Sequence, residues 1–172
     1  EVLLHETEEV RAITPDVVRL VGDMIETMHA APGVGLAANQ VGVAQRIAVV
    51  DLTVGEDPSQ LLVLINPRII EVAGAETGEE GCLSVPDYFA DVTRPDSIVL
   101  EALDQDGQPY RRELAGLLAR AVQHEIDHLD GILFLDHLSL LKRKRMLSRW
   151  RKEHAEDTSY IRPVSSTSAE AR

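Results

Sequence analysis

Residues 116–131 read GLLARAVQHEIDHLDG, with two histidines four positions apart and a glutamate directly after the first. Apolar residues recur at helical spacing before the histidines, and the final Asp-Gly pair is typical of a helix end. On such a helix His124 and His128 point to one face, where both can bind a single ion while Glu125 leans toward its open side. The stretch therefore predicts a helix that carries a metal site.

The surrounding helix supports this interpretation. Leu117, Ala121, His124 and His128 form one stripe at helical spacing, which predicts that the histidines continue an apolar face and point into the protein. For a single inward histidine, a hydrogen bond to a backbone carbonyl is the simpler explanation. Two such histidines with Glu125 between them favour a metal ion instead.

A third protein ligand has to come from elsewhere, because a catalytic divalent site commonly combines three protein ligands with an open position for water. Cys82 in EEGCLSVP (79–86) is the only cysteine, and it follows Gly81, which allows close backbone approach. A cysteine considered alone is more often a small buried hydrophobic residue. Beside an HExxH helix it becomes the leading candidate, while Glu153 or Glu156 remains open as the third ligand of an HExxH peptidase.

The order of the predicted elements indicates an α+β fold with antiparallel sheets. A helix begins at Thr14, the predicted N-cap, and ends near residues 31–33. A third helix is predicted at 139–154, after the HExxH helix at 116–129. Strand-like runs occupy 46–52, 61–70, 91–93, 97–104 and 109–114, and Asp106-Gly107 forms the turn of a hairpin.

Length and composition limit the functional classes. The 172 residues fit one domain, expected at 1–156, followed by a polar tail at 157–172 that we expect to be disordered. A net charge of −12 argues against general binding to DNA or anionic membranes. A single cysteine excludes an intrachain disulfide and favours a reducing cytoplasm, as does the lack of a signal-like opening or a membrane-length apolar run.

Three stretches together carry a family resemblance: GVGLAANQVG (33–42), EEGCLSVP (79–86) and QHEIDHLDG (123–131). In content, order and spacing they resemble the signature motifs of bacterial peptide deformylases, and the resemblance extends from about Thr14 to Leu141. It implies antiparallel sheets packed around a central HExxH-bearing helix, with an N-terminal and a C-terminal helix. It also implies that Glu1 lies just after the family's short opening strand.

The resemblance implies a role for each matching residue. Cys82, His124 and His128 would hold the metal, with Glu125 as general base and then general acid. The side chain of Gln40 and the backbone N–H of Leu83 would stabilise the oxyanion. A simpler explanation for Gln40 is that it ties down its Gly-Ala-rich loop.

The implied substrate is the N-terminal formyl-methionine of newly synthesised proteins, from which water activated at the metal would release formate. The residues expected to bind this substrate are Val34, Gly35, Gly81, Leu117 and Ala121. For Val34, Leu117 and Ala121, ordinary core packing is the alternative.

The implied cofactor is one divalent ion. Two imidazoles and a thiolate suit several metals. The resemblance favours Fe(II), with Ni or Co as active substitutes and Zn as a weaker one.

The C-terminal segment 142–152 holds seven of the chain's 17 basic residues and no acidic residue. In the family this helix can dock on the ribosome, which makes the ribosome a candidate partner. A solvated helix face is the alternative.

Two other functions stay open at this stage. The first is an HExxH metallopeptidase that cuts internal peptide bonds, which would not depend on Cys82. The second is a catalytically silent, ribosome-associated binding protein, although the ligand set, Glu125 and Gln40 are all present.

Overall fold

A computed structural model of the chain describes residues 2–31 and 33–153. The helices are α1 (Pro15–Ala30), α2 (Gly116–Leu129) and α3 (Leu140–Glu153). The strands are β1 (Gly35–Ala37), β2 (Ile47–Val50), β3 (Leu62–Ala73), β4 (Glu76–Cys82), β5 (Val85–Arg94), β6 (Ser97–Leu103) and β7 (Pro109–Ala115). Short 3-10 turns lie at Val2–Leu4, Ala38–Val41, Pro58–Gln60 and Phe134–His137.

The strands form two antiparallel sheets. Five strands pair in the order β1-β2-β3-β6-β7, and β4 pairs with β5 as a separate hairpin. In the large sheet Leu36 lies opposite Val49, and Ala48 opposite Leu64. The α+β fold with antiparallel sheets, expected from the element order, is confirmed.

The large sheet has a helix on each face, because its central strands are apolar on both sides. In β2, Ile47 and Val49 pack with the buried face of α1, while Ala48 and Val50 pack with α2. All four β2 residues are fully buried. Burial on both faces explains why this strand reads as a continuous apolar run and not as an alternating one. The sheet therefore forms a rigid support for α2.

Both predicted helix boundaries near the sheet are correct. Thr14 is the N-cap of α1, and its hydroxyl accepts a hydrogen bond from the Val17 N–H. Helix α2 spans the expected residues 116–129 and is followed by Gly131, whose φ of 73° lies in the left-handed region that glycine favours. The turn at 104–107 joins β6 to β7 as the Asp-Gly pair predicts.

The sequence prediction missed β1 and β4. It placed only residues 91–93 of β5 in a strand. Strand β4 reads ETGEEGC, a composition that disfavours strands when considered alone. It forms because seven of its residues pair with β5, from Glu76 opposite Arg94 to Cys82 opposite Val85. Tertiary pairing thus overrides the local preference in the segment that carries Cys82.

The chain divides into two compact units, residues 1–138 and 139–172. In the second unit the structure describes the α3 segment, in which the Ser139 hydroxyl and carbonyl accept hydrogen bonds from the first turn. Of the helix predicted at 139–154, residues 140–153 are confirmed. The tail predicted to be disordered lies outside the described residues. No helix in the described part of the chain has the length and apolar character needed to span a bilayer.

Candidate active site

Two segments that are distant in sequence, β4 and α2, bring together three side chains of metal-binding types. Cys82 ends β4, and His124 and His128 lie on α2. The ligand atoms of these side chains lie within 4.8 Å of one another, and Cys82 Sγ is 3.1 Å from His128 Nε2. Donor atoms on one tetrahedral ion stand about 3.5 Å apart at usual bond lengths, so the set fits a metal. No other such group of Cys, His, Asp or Glu occurs among the described residues.

The orientation and charge of the two imidazoles suit a metal ion. His124 Nδ1 is 3.1 Å from Glu80 Oε2, which leaves Nε2 for an ion and fixes the ring. Burial, together with the positive charges of His124 and Arg94, lowers the pKa of His128 to about 3. His128 is therefore neutral near pH 7, the form that binds a metal.

The Cys82 sulfur is surrounded by hydrogen-bond donors. The Ser84 backbone N–H lies 3.3 Å from Sγ, and Gln40 Nε2 lies 3.7 Å away. Burial lowers the pKa of His124, but hydrogen bonds with Cys82 and Glu80 outweigh it and raise that pKa to about 10. Since a ligand imidazole is neutral, metal uptake has to displace this proton.

Glu125 is a buried carboxyl group whose hydrogen bonding is incomplete among the described residues. Its side chain is 4% exposed, and Oε2 has no hydrogen-bond partner among the residues that the structure describes. Burial raises the pKa of Glu125 to about 7. A carboxyl group with that pKa can accept and release a proton near neutral pH, as a general base and acid must.

Gln40 contacts both its own loop and Cys82. Its Oε1 accepts a hydrogen bond of 2.8 Å from the Ala37 N–H, while Nε2 donates to Ser84 Oγ at 3.2 Å and faces Cys82. The loop-tying contact expected from the simpler explanation is present. It leaves the amide nitrogen directed at the site, so the two explanations are compatible.

A buried carboxylate, Glu80, joins the hairpin to α2. Its oxygens accept hydrogen bonds of 2.6 and 2.9 Å from Arg94, and Oε1 also accepts one of 2.8 Å from Arg120. Burial favours the neutral acid, but hydrogen bonds from His124 and Arg94 lower the pKa of Glu80 to about 2. Arg94 also reaches Asp127 at 2.8 Å. The ionised Glu80 is thus fully paired despite its burial.

A cavity of about 530 Å³ opens over the site. All the predicted site residues except His128 line it: Val34, Gly35, Gln40, Gly81, Cys82, Leu83, Leu117, Ala121, His124 and Glu125. Gly35 passes so close to Glu125 that an added Cβ would clash with the carboxylate.

Two predictions about burial need correction. Leu117 is 63% exposed, so the predicted inward stripe is wrong at this position, where the helix face turns toward the cavity. Val34 is 40% exposed, so core packing explains neither residue. Ala121 is buried, and it lines the cavity as well as packing in the core. Leu117 and Val34 therefore form an exposed apolar wall of the cavity, while Ala121 belongs to both the wall and the interior.

Sequence reasoning missed Glu80, Arg94, Arg120 and Asn39. The Asn39 amide donates a hydrogen bond to the carbonyl oxygen of His128. A signal for Arg120 was available, because an arginine one turn before His124 on an otherwise apolar helix face needs a partner. Glu80, two residues before Cys82, is the acid that meets this need. Nothing in the sequence near Arg94 pointed to the site.

An HExxH helix, a cysteine from a neighbouring hairpin and a buried carboxyl group define a metal-dependent hydrolase site. The sequence profile of the polypeptide deformylase family matches residues 1–144. A peptide deformylase of Alkalilimnicola ehrlichii is 54% identical over 143 residues, which cover 83% of this chain and 80% of that protein. A peptide deformylase from Rhizobium meliloti is 47% identical over 152 residues, which cover 88% of this chain and 87% of that protein.

Solved structures agree with these sequence matches. A peptide deformylase from Legionella pneumophila superposes with a TM-score of 0.85 and 38% identity, covering 95% of this chain and 94% of that one. The enzyme from Ehrlichia chaffeensis in complex with actinonin superposes with a TM-score of 0.80 and 40% identity, covering 88% of this chain and 91% of that one. The chain belongs to the polypeptide deformylase family. It is accordingly a hydrolase of N-terminal processing in protein biosynthesis, and the family resemblance of the three motifs is confirmed.

Proposed function

We propose that this chain removes the formyl group from the N-terminal formyl-methionine of new proteins and releases formate. The observation that carries the proposal is Glu125, a buried carboxyl group beside the Cys82, His124 and His128 cluster, with one oxygen that has no hydrogen-bond partner among residues 2–31 and 33–153. We infer that these three side chains hold one divalent ion. When bound, such an ion supplies Lewis-acid activation of water and of a carbonyl oxygen.

Glu125 moves the proton in this mechanism. Its carboxylate accepts a proton from the attacking water and then delivers it to the departing amine, so that the peptide leaves with a neutral N-terminus. Burial raises the pKa of Glu125 to about 7, which suits both transfers. The close approach of Gly35 restricts the carboxylate to one side of the cavity.

The oxyanion of the tetrahedral intermediate requires fixed donors. Gln40 Nε2 is held near Cys82 because Oε1 is already bonded to the Ala37 N–H. We assign the second donor to the backbone N–H of Leu83, which follows Cys82 directly and lines the cavity. The Gln40 side chain is fixed by its hydrogen bond from the Ala37 N–H, and Leu83 lies in the short turn between the paired strands β4 and β5, so little reorganisation is needed.

The cavity wall and the adjacent strand provide the substrate site. Val34, Leu117 and Ala121, together with the ring of His124, form an apolar pocket suited to a methionine side chain. Gly35 and Gly81 leave room for a peptide backbone. β1 ends the large sheet, so an extended peptide can add beside it through backbone hydrogen bonds that tolerate many sequences. We expect actinonin, found bound to the Ehrlichia enzyme, to occupy this cleft.

We propose Fe(II) as the native metal, with Ni or Co as active substitutes and Zn as a less active one. Thiolate and imidazole ligands suit all of these ions. Loading of metal-free protein with each ion, followed by formate release, would rank them. Higher activity with Zn than with Fe(II) would contradict the assignment.

We also propose the bacterial cytoplasm as the place of action and the ribosome as a partner of α3. None of the described α3 side chains is buried, and its basic residues suit phosphate contacts. Truncation after Leu141 should reduce co-sedimentation with ribosomes, more so at low salt. Unchanged co-sedimentation would indicate that α3 is only a solvated helix.

The decisive test is formate release from a formyl-Met-Ala-Ser peptide by anaerobically purified, Fe(II)-loaded protein. Wild type should release formate, and Glu125→Ala should lose this activity while retaining the metal. Cys82→Ser should lose metal and activity together. Wild type that cleaves internal peptide bonds but releases no formate, with Cys82→Ser cleaving those bonds equally well, would instead favour a metallopeptidase.

A further inference from the structure

Arg120 is a buried cation that the mechanism above does not use. It lies on α2, one turn before His124, and its residue is 7% exposed. A buried guanidinium is costly unless its donors are paired. Its contacts therefore indicate what it stabilises.

The partners of Arg120 lie on both strands of the β4–β5 hairpin. Nη1 donates to Glu80 Oε1 at 2.8 Å and to the Val92 carbonyl oxygen at 2.9 Å, and Nη2 donates to the Glu76 carbonyl oxygen at 2.8 Å. Two of the three acceptors are backbone atoms. The guanidinium therefore fixes the position of the hairpin backbone relative to α2, and not merely the rotamer of one side chain.

Gly78 gives a second, independent indication of close packing. A Cβ added at Gly78 would lie 3.2 Å from Arg120 Cζ and Nε and 3.3 Å from Nη2. The hairpin backbone thus rests directly on the guanidinium. A larger residue at this position would displace one of the two by a few tenths of an ångström.

The two elements joined by Arg120 are the ones that supply the metal ligands. Cys82 is two residues after Glu80 on β4, while His124 and His128 are on α2. Glu80 also holds His124 Nδ1 at 3.1 Å. A small shift of the hairpin therefore changes the distance from sulfur to the imidazoles and the orientation of one imidazole together.

Arg94 provides a comparison because it binds the same carboxylate. It lies on β5, and its described hydrogen bonds reach α2 through the Glu80 and Asp127 side chains. Arg94 can hold Glu80 without Arg120, but it makes no contact that replaces the hydrogen bonds to the Glu76 and Val92 carbonyls. The two arginines are therefore not interchangeable.

We propose that Arg120 is a positioning residue that sets the spacing between Cys82 and the two histidines, and hence the geometry and affinity of the metal site. This inference rests on the proposed function in that it takes these three side chains as the metal ligands. Arg120 itself touches neither the metal nor the reacting atoms. Lysine cannot replace it fully, because an ammonium lacks the planar fork that serves several acceptors at once.

The test is an anaerobic Co(II) titration of metal-free wild type, Arg120→Met and Arg120→Lys, with chelator competition for the affinity. The thiolate-to-Co(II) charge-transfer band reports the geometry. Arg120→Met should bind Co(II) about 10- to 100-fold more weakly, with a changed band, because the loss of Arg120 displaces Glu80, which is the hydrogen-bond partner of His124. Arg120→Lys should recover only part of the affinity.

Arg111→Met is the matched control, since Arg111 is exposed and pairs with Glu71 on the sheet surface. It should bind Co(II) like wild type. Thermal melting of each metal-free protein separates a role in positioning the metal ligands from a role in fold stability alone. If Arg120→Met melts lower but has wild-type affinity and band, or Arg120→Lys restores both completely, the positioning role is rejected. A wild type that binds no Co(II) would reject the proposed function itself.

Gly78→Ala keeps the test decisive if Arg120→Met does not fold. It removes no hydrogen-bonding group and only presses the hairpin away from the guanidinium. A folded Gly78→Ala with weaker Co(II) binding supports the proposal. Wild-type affinity and an unchanged band in Gly78→Ala would overturn it.

Discussion

Residues of similar chemistry have different roles here because their surroundings differ. Glu80 and Glu125 are both buried carboxyl groups within one site. Glu80 has two arginines and His124 as partners, and hydrogen bonds overcome burial and lower its pKa to about 2. Glu125 lacks such hydrogen bonds, and burial raises its pKa to about 7. One carboxylate therefore stays ionised and orients the His124 ring, while the other can exchange a proton.

Gly35→Ala tests whether the position of Glu125 matters. The added Cβ would lie 2.8 Å from Glu125 Cδ and 2.9 Å from Cγ, so the carboxylate has to move. We expect kcat/KM for formyl-Met-Ala-Ser to fall by about 100-fold, because a shift near 1 Å at a reacting group has that effect. Metal content should remain that of wild type.

Gly22→Ala is the control for this substitution. Nothing lies within 4 Å of a Cβ added at Gly22, which is on α1. It should leave kcat/KM unchanged and raise helix stability by up to about 1 kcal/mol. A Gly35→Ala enzyme as active as Gly22→Ala would show that the carboxylate does not need its observed position.

Gln40 can be tested by separating its two contacts. Gln40→Ala removes both, whereas Gln40→Glu retains an oxygen for the Ala37 N–H and loses the Nε2 donor. Both variants should lower kcat by about 10²- to 10³-fold, the loss expected for one oxyanion donor. Gln40→Ala alone should also lower the melting temperature. A Gln40→Glu enzyme with wild-type kcat and metal content would leave Gln40 only its loop-tying role.

At the scale of elements, sequence periodicity predicted the helices and strands that bury apolar faces in the core. Helix α2 and strand β2 are apolar along their buried faces, and the sequence pattern located both. Strand β4 follows no such pattern, because Glu80 and Gly78 occupy it for contacts with Arg120. His124, His128 and Glu125 were predictable from residue type and spacing, and Cys82 as the only thiol, whereas the roles of Gln40 and Leu83 were expected only from the family resemblance. Their supporting residues were not, because a buried ion pair between elements leaves no periodic signal in the chain.

Asp51 joins the end of β2 to α1 and predicts a pH dependence of stability. Burial raises its pKa, but hydrogen bonds from Thr53, Gly55 and His29 prevail and lower it from 3.8 to about 2. The ionised carboxylate therefore stabilises the fold above about pH 4, and this contribution disappears as the pH falls toward 2.

Asp51→Asn should consequently lower the free energy of unfolding by on the order of 1 kcal/mol at pH 6, through the loss of hydrogen bonds to a charged acceptor. The difference from wild type should shrink between pH 4 and pH 2. Urea unfolding across this range measures it, with Asp23→Asn on the exposed face of α1 as the control. A difference that stays constant with pH would show that the Asp51 charge contributes nothing.

At the scale of the molecule, the Cys82, His124 and His128 cluster joins parts of the chain that otherwise meet through few contacts. Cys82 belongs to the separate β4–β5 hairpin, while both histidines belong to the helix supported by the large sheet. Apart from the metal, the described hydrogen bonds that link hairpin and helix run mainly through Arg94 and Arg120. A metal ion held by Cys82 and the histidines would therefore cross-link the fold.

Metal removal should accordingly destabilise the whole first unit. Zn(II) at about 100 times its dissociation constant adds about 2.7 kcal/mol to the free energy of unfolding, if the unfolded chain binds none. For a chain of this size each kcal/mol shifts the melting temperature by about 2 to 4 °C, so chelation should lower it by about 5 to 10 °C. Scanning calorimetry of Zn(II)-loaded and chelator-treated protein measures this shift.

Cys82→Ser is the matched variant for the thermal test, because it keeps both histidines and removes only the thiolate. It should melt near the metal-free wild type and gain much less on addition of Zn(II), since a serine oxygen is a poorer ligand than a thiolate. Arg111→Met, which changes only a surface pair, should retain the full shift. A melting temperature that does not respond to chelation in wild type, or a full response in Cys82→Ser, would mean that Cys82 and the histidines do not hold the ion together.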